Sequence, residues 1–198
     1  MVDFDESITD AVTEIMNMAV GSASELLSDM INEEILLDVP KTEICDFSAI
    51  YKKIQIVEED RLVAIHERFS GSFGGDAFLI FPQRKSLDLA AAALGMDTME
   101  GDISEVAREA LMEIGNIILN SCLGTICNLL NYEVDTEIPQ VEIWAGDQKH
   151  ESNKKGAFVH INFQMARTGT TGYLVIFMSQ DAMGVLLEGI QQFISSYD

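Results

Sequence analysis

The same combination of glutamate, asparagine and proline occurs twice in this chain of 198 residues. Its members are Glu14, Asn17 and Pro40 in the first copy and Glu113, Asn116 and Pro139 in the second. Each member returns after 99 residues, which is half the length of the chain. Composition alone rarely matches three residue types at fixed spacing, so the chain is predicted to consist of two related halves.

Each half is predicted to contain a long helix, three strands and a shorter helix. Apolar residues with a period of 3.6 predict long helices at about 7–33 and from about 102 onwards, and capping-box patterns stand at 7–10 and 102–105. Apolar runs predict strands at 39–48, 61–69, 76–81, 141–144, 157–163 and 173–177. Shorter helices are predicted at 85–95, ended by Gly95, and at 181–194, with a loop at 146–156.

The predicted fold class is α/β of the α+β type. Neither half buries its helix and strands well alone, and no linker rich in proline, glycine or serine separates them. Residues 1–198 are therefore predicted to form a single domain, built from the repeat halves 1–99 and 100–198. We expect a pseudo-two-fold arrangement in which the long helices pack on a mainly antiparallel sheet.

Composition excludes several classes of partner. The net charge of −21 argues against nucleic acid and against an anionic membrane surface. The three cysteines form no C-x-x-C pair, which indicates a reducing compartment, and Cys122 and Cys127 are expected to be buried. The N-terminus is acidic rather than a signal peptide, and no apolar run approaches the roughly 20 residues that span a bilayer. A cytoplasmic protein is predicted.

The duplicated residues lie on one face of each predicted helix. Asp10, Glu14, Asn17, Gly21 and Ser24 fall within an arc of about 80° and are expected to face away from the core. For one pair, a solvated helix face is the ordinary explanation. Asparagine is a poor helix former, so helix propensity does not explain its position. It nevertheless recurs in both copies while its neighbours differ. The repetition therefore favours a functional role.

The chemistry of the pair suggests half of an active site. A carboxamide can orient a water molecule without ionising, as the water-positioning glutamine of GTPases does. A glutamate can pair with a lysine on a partner. Because the motif supplies neither a nucleophile nor a phosphate cradle, we expect another protein to complete the site.

The doubled D/S-x3-E-x2-N-x22-P pattern resembles the CheC/CheX/FliY family of chemotaxis phosphatases, and most of all its two-site members of the CheC type. The resemblance implies an aspartyl-phosphate phosphatase, a hydrolase in two-component signalling, whose substrate is phosphorylated CheY. It implies no metal or cofactor of its own, Mg²⁺ being supplied by CheY, and it suggests CheD as a second partner. Asn17 and Asn116 would position the attacking water, and Glu14 and Glu113 would pair with the lysine of CheY. The supporting motif residues would be Asp10, Glu109, Pro40 and Pro139.

Two positions depart from the family pattern. Glu109 stands where the family has aspartate or serine, and Met16 stands where a glycine often precedes the asparagine. Met16 is expected to hinder close approach of a partner to the first site, whereas Gly115 makes the second site the cleaner match. Both sites are expected to work, and their ranking is left open.

Two rival functions are open from the sequence. One is a non-catalytic CheY- or CheD-binding module or flagellar switch component on the same fold; the short segments outside the outermost predicted helices favour the phosphatase instead. The other is a metal-dependent hydrolase using Asp10, Glu14 and Asn17. The histidines, at 66, 150 and 160, show no metal-ligand spacing, and Trp144 is expected to lie in the core.

Overall fold

A single antiparallel sheet forms the framework of the computed structural model, which describes residues 6–46, 61–144, 155–165 and 169–195. In chain order the elements of these residues are α1 (Glu6–Ile31), β1 (Ile35–Asp46), β2 (Leu62–Gly71), β3 (Gly75–Pro82), α2 (Gln83–Ala93), α3 (Glu105–Leu130), β4 (Val134–Thr136), β5 (Gln140–Trp144), β6 (Lys155–Met165), β7 (Gly169–Met178) and α4 (Gln180–Ser195). The predicted loop at 146–156 lies mostly outside the described residues.

Strands from the two halves of the chain are interleaved in the sheet. The order is β1-β6-β7-β3-β2-β4, and β5 pairs with the same strand, β2, as β4 does. Thus β1 pairs with β6, β5 pairs with β2, and β3 and β7 meet in the middle. The predicted α+β class with a mainly antiparallel sheet is confirmed. The division into one domain of two repeats stays a prediction.

The two long helices correspond residue by residue. Each has 26 residues, and their first residues, Glu6 and Glu105, lie 99 positions apart. Each is followed by an asparagine with positive φ, 56° at Asn32 and 54° at Asn131. Asparagine tolerates this left-handed conformation better than most residues, so it ends both helices in the same way.

The predicted helix starts were wrong in detail. Because α1 already includes Glu6, Ser7 is not its N-cap. The N-cap of α3 is Ser104, whose hydroxyl oxygen accepts from the backbone N–H of Ala107 at 3.2 Å, whereas Asp102 pairs with Arg61 at 3.0 Å. The predicted end of α2 is confirmed: Gly95 has φ +65°, and Met96 N–H donates to the carbonyl of Ala91 in a Schellman motif.

The predicted strands also needed correction. β1 starts at Ile35 rather than at 39, so Pro40 lies inside the strand instead of opening it, and 47–48 lie outside the described residues. A proline interrupts the hydrogen bonds of a strand and is tolerated at a bulge. The register of β1 against β6 does shift between Asp38 and Lys41. The short strand β4, just after α3, was not predicted.

The main core lies between the sheet and the helices. α1 and α3 pack against each other on one face, and a smaller apolar cluster that includes Trp144 covers part of the opposite face, as expected for this tryptophan. Cys122 and Cys127 are buried in α3, as predicted. Burial raises the pKa of the Cys122 thiol to about 12 and also raises that of Cys127, so both thiols are protonated and structural.

α3 is more apolar than expected, since no apolar run of the sequence was predicted to approach the length that spans a bilayer. Among the described helices it is the one that is long and apolar enough, by composition, to cross a membrane. Yet 56% of its most apolar stretch is buried inside the protein, and the core helix of a soluble protein meets the same criterion.

Candidate functional site

The motif acids lie on the outer faces of the two long helices. Asp10 and Glu14 on α1 are exposed, as are Glu109 and Glu113 on α3. Gly21, one turn beyond Asn17, is exposed, and a Cβ there would meet none of the described residues within 4 Å. These exposed positions point away from the core, as the sequence predicted. Asn17 and Ser24, predicted on the same face, are instead half-buried and bond to β1.

Asn17 is partly buried and joins α1 to β1. Its Oδ1 accepts from the backbone N–H of Val39 at 3.0 Å, and its Nδ2 donates to the carbonyl of the same residue at 3.4 Å. Val39 needs both bonds because it lies in the bulge, where Val39 and Pro40 stand opposite the single residue Ile161 of β6. The spacing from asparagine to proline thus follows from the packing of the helix on the bulged strand.

The bulge leaves part of the Asn17 carboxamide available. An asparagine has two N–H hydrogens and an oxygen with two lone pairs, and Val39 uses one of each. The remaining hydrogen and lone pair can bind a water molecule. Ser28 holds the start of the same strand, because its hydroxyl oxygen accepts from the backbone N–H of Ile35 at 2.9 Å. A rigid strand therefore fixes the orientation of the amide.

Asn116 is held by a different set of bonds. Its Oδ1 accepts from Nδ2 of Asn120 at 2.9 Å, and Oδ1 of Asn120 accepts from the hydroxyl of Thr136 at 3.1 Å. In the described part of the chain, nothing accepts a hydrogen bond from Nδ2 of Asn116. Ile138, which corresponds to Val39, is 80% exposed. Because Asn120 takes the place of Gly21, the two sites orient their asparagines by different means.

Met16 does not occupy the surface of the first site, so the expectation that it hinders a partner was wrong. Its side chain is 2% exposed and belongs to the core. Gly115, at the corresponding position, also faces inward, and a Cβ there would lie 2.4 Å from Cγ2 of Ile65. The glycine therefore serves the close packing of α3 on β2 rather than the approach of a partner.

Glu67 is a buried acid that the sequence analysis missed. It lies on the helix-facing side of β2, in line with the core residues Ile65 and Phe69, and is 1% exposed. Within the described part of the chain, neither of its carboxylate oxygens has a hydrogen-bond partner of standard geometry. Burial raises its pKa to about 7, against a smaller lowering by the Thr136 hydroxyl. The sequence did contain a signal for it: the alternation of residues along β2 places position 67 on the inward face, where an acid is unusual.

His66 takes part in a structural cluster on the other face of the sheet. Its Nε2 lies 3.0 Å from Asp76, its Nδ1 lies 3.3 Å from Glu142, and its ring stacks on Phe78 at 4.3 Å. Among the described residues, no three His, Cys, Asp or Glu side chains are grouped closely enough to hold a metal ion. His150 lies outside those residues.

These elements define a class of α+β domain in which two long helices, each with exposed acids and a held asparagine, lie on one antiparallel sheet. The family model of the chemotaxis phosphatase CheX matches residues 63–164, and that of the CheC-like family matches residues 8–44. The chain belongs to the CheC/CheX/FliY family.

Relatives in this family cover much of the chain. The flagellar motor switch phosphatase FliY of Bacillus subtilis is 25% identical over 143 residues, which are 71% of this chain and 37% of FliY. The CheY-P phosphatase CheC of the same bacterium is 22% identical over 141 residues, 70% of this chain and 67% of CheC. The chain thus spans little more than a third of FliY and about two thirds of CheC.

Solved structures show the same fold. Thermotoga maritima FliY superimposes with a TM-score of 0.79 at 20% identity, covering all of both chains. The FliM middle domain from Helicobacter pylori gives a TM-score of 0.72 at 9% identity, covering 94% of this chain and 99% of that one.

Proposed function

We propose that this protein is a phosphatase that accelerates hydrolysis of the phospho-aspartate of CheY. The observation that carries the proposal is the pair of helix faces, each with exposed acids beside an asparagine whose amide is held by hydrogen bonds. Two relatives support the reaction class, since one is named a CheY-P phosphatase and the other a motor switch phosphatase.

The asparagines are proposed to position the attacking water. Asn17 and Asn116 would each enter the active site of CheY and bind a water through the free part of the carboxamide. Water attacks phosphorus in line with the bond to the aspartate oxygen, that bond breaks, and inorganic phosphate leaves. Such transfers depend on positioning more than on a strong base, so an uncharged amide suffices.

The acids are proposed to fix the orientation of the complex. Glu14 and Glu113, one turn before the asparagines, would each pair with the lysine in the CheY active site. Asp10 and Glu109 add negative charge a further turn away. The net charge of −21 favours approach of a partner through a basic surface. Pro40 and Pro139 would shape the strand segments beneath the asparagines.

The remaining expectations are proposals as well. Mg²⁺ would belong to the CheY active site, where it offsets the charge of the phosphoryl group, and no cofactor is assigned to this chain. CheD as a second partner rests on the family resemblance alone. A cytoplasmic location rests on the cysteine pattern and the composition of the sequence.

The proposal is tested by phosphate release from radiolabelled phospho-CheY. The wild type, Asn17→Ala, Asn116→Ala and the double variant are compared with Asn128→Ala as control, because Asn128 is an exposed asparagine of α3 outside the motif. We expect the wild type and control to accelerate release equally and the double variant to lose the acceleration. A wild type that leaves the decay unchanged, alone and with CheD, would overturn the proposal.

A non-catalytic switch module is the second candidate. It is favoured by the fold match to the FliM middle domain, which extends over 94% of this chain. The same assay separates the two functions, since a switch module would bind CheY without changing the rate of phosphate release.

A further inference from the structure

A chain of side-chain hydrogen bonds runs to the second site from Thr136, a neighbour of the buried acid Glu67. Paired residues of antiparallel strands share a face, and Thr136 of β4 pairs with Phe69, two residues after Glu67. Thr136, which is exposed, therefore stands beside Glu67 at the rim of the sheet face that α3 covers. Its hydroxyl donates to Oδ1 of Asn120, and Nδ2 of Asn120 donates to Oδ1 of Asn116. The chain links a titratable group in the core to the amide proposed to hold the water.

Thr136 has a single hydroxyl hydrogen and two candidate acceptors. A protonated Glu67 can donate to the hydroxyl oxygen, so the hydrogen of Thr136 stays on Asn120. An ionised Glu67 is a buried anion whose one candidate donor, among the described residues, is the Thr136 hydroxyl. It draws that hydrogen to itself because charged acceptors form the stronger bond. Nδ2 of Asn120 still donates to Oδ1 and to the backbone carbonyl of Asn116, both at 2.9 Å, but Oδ1 of Asn120 loses its donor. The carboxamide of Asn120 is then held on one side only, and the Asn116 carboxamide bound to it is held less firmly.

We propose that Glu67 is a positioning residue of the second site: its carboxyl competes with Asn120 for the Thr136 hydroxyl hydrogen and thereby sets the orientation of the Asn116 carboxamide. The inference rests on the proposed phosphatase function for its effect on rate. Its effect on the amide is independent of that function.

The competition falls in the neutral pH range. Burial raises the pKa of Glu67 to about 7, so its carboxyl changes charge between about pH 6 and pH 8. No charged neighbour contributes to this shift. The charged side chains beside it on the strands, His66, Arg68 and Asp76, lie on the opposite face of the sheet, while Glu113 of α3 and Asp135 of β4 are exposed.

The first site has no equivalent acid. Phe69 and Phe163 correspond in the two halves, which places Ile161 at the position of Glu67. Ile161 is fully buried beside the bulge that holds Asn17. Asn17 is bound to backbone atoms that do not titrate, so the first site is an internal control for the second.

The rate test isolates each site. Phosphate release from radiolabelled phospho-CheY is measured from pH 6 to pH 8 with Asn17→Ala, which keeps the second site, and with Asn116→Ala, which keeps the first. Relative to the first site, we expect the second to slow about fivefold as pH rises, the effect of one lost hydrogen bond. In the Asn17→Ala background, Glu67→Gln should stay fast at both pH values. Thr136→Val should be slow at both.

A spectroscopic test is independent of activity. In ¹⁵N-labelled wild type, the side-chain NH₂ signals of Asn116 and Asn120 should shift with a midpoint near pH 7, and in Glu67→Gln they should not. Amide signals that do not titrate would overturn the inference, as would equal pH profiles of the two sites. If the amides titrate while no variant accelerates phosphate release, the proposed phosphatase function fails and the positioning role stands.

Discussion

At the scale of single residues, the two asparagines of the motif have different structural duties. Asn17 satisfies a buried backbone N–H and C=O in the bulge of β1, whereas the side chain of Asn116 bonds, among the described residues, to the side chain of Asn120. The identity of the two motifs in the sequence hides this difference, because the partner of Asn17 is a backbone group 22 residues away. Only the packing of helix on strand reveals it.

The first prediction follows from that difference. Asn17→Ala leaves the N–H and C=O of Val39 without partners and should lower the free energy of unfolding by about 1–3 kcal/mol. Asn116→Ala leaves no backbone group without a partner, so it should lower the free energy of unfolding by less than about 1 kcal/mol. Urea unfolding at pH 7, with Asn128→Ala as reference, measures both. Equal losses for the two variants would contradict the structural role given to Asn17.

A second residue-level prediction concerns Glu67 and pH. Its pKa is about 7 in the folded protein, raised from an ordinary value of 4.5, so the folded state binds the proton more tightly than the unfolded chain does. Stability from this group is therefore complete below about pH 4.5 and is lost as pH rises through about 7. Glu67→Gln should exceed the wild type in unfolding free energy by about 1–3 kcal/mol at pH 8, with the difference shrinking towards pH 5. Thermal unfolding across this range tests it, and a constant difference would contradict the buried ionisation.

At the scale of elements, local sequence patterns predicted what depends on local chemistry. The period of 3.6 located both long helices, and Gly95 marked the end of α2 because its positive φ is a property of one residue. Pro40 led to a wrong start for β1, because a proline usually opens or breaks a strand. Only the pairing with β6 shows the bulge that accommodates it. β4 escaped notice because three residues carry too little alternation. The faces of the site were predictable, and the bonds that hold the asparagines were not.

The packing of α3 on β2 yields a prediction at this scale. Gly115→Ala places a Cβ 2.4 Å from Cγ2 of Ile65 and should cost about 1–3 kcal/mol through overpacking. Gly124→Ala in the same helix is the matched control. Its Cβ meets no atom of the described residues within 4 Å, so alanine should stabilise by up to about 1 kcal/mol through helix propensity. Urea unfolding distinguishes the two. If Gly115→Ala is neutral, α3 can shift, and the proposed close approach to β2 is not obligatory.

At the scale of the whole molecule, the halves of the chain depend on each other. β1 from the first half has its partner, β6, in the second half, and β5 from the second half has its partner, β2, in the first. The two helices also cover one shared core. Each half by itself would therefore expose unpaired strand edges and one side of its long helix.

The interleaved sheet predicts that neither half of the chain folds alone, whereas the two halves fold together after the chain is cut. Fragments 1–99 and 100–198, divided in the exposed segment between α2 and α3, should each lack a cooperative thermal transition when separate. Mixed at equal concentration, they should recover the far-ultraviolet circular dichroism of the intact protein, because every strand then regains its partner. Sedimentation of each fragment serves as control, since the related halves could also pair with themselves. A monomeric fragment that unfolds cooperatively would show that one half folds independently. The strand pairs between the halves would then add stability without being required for folding.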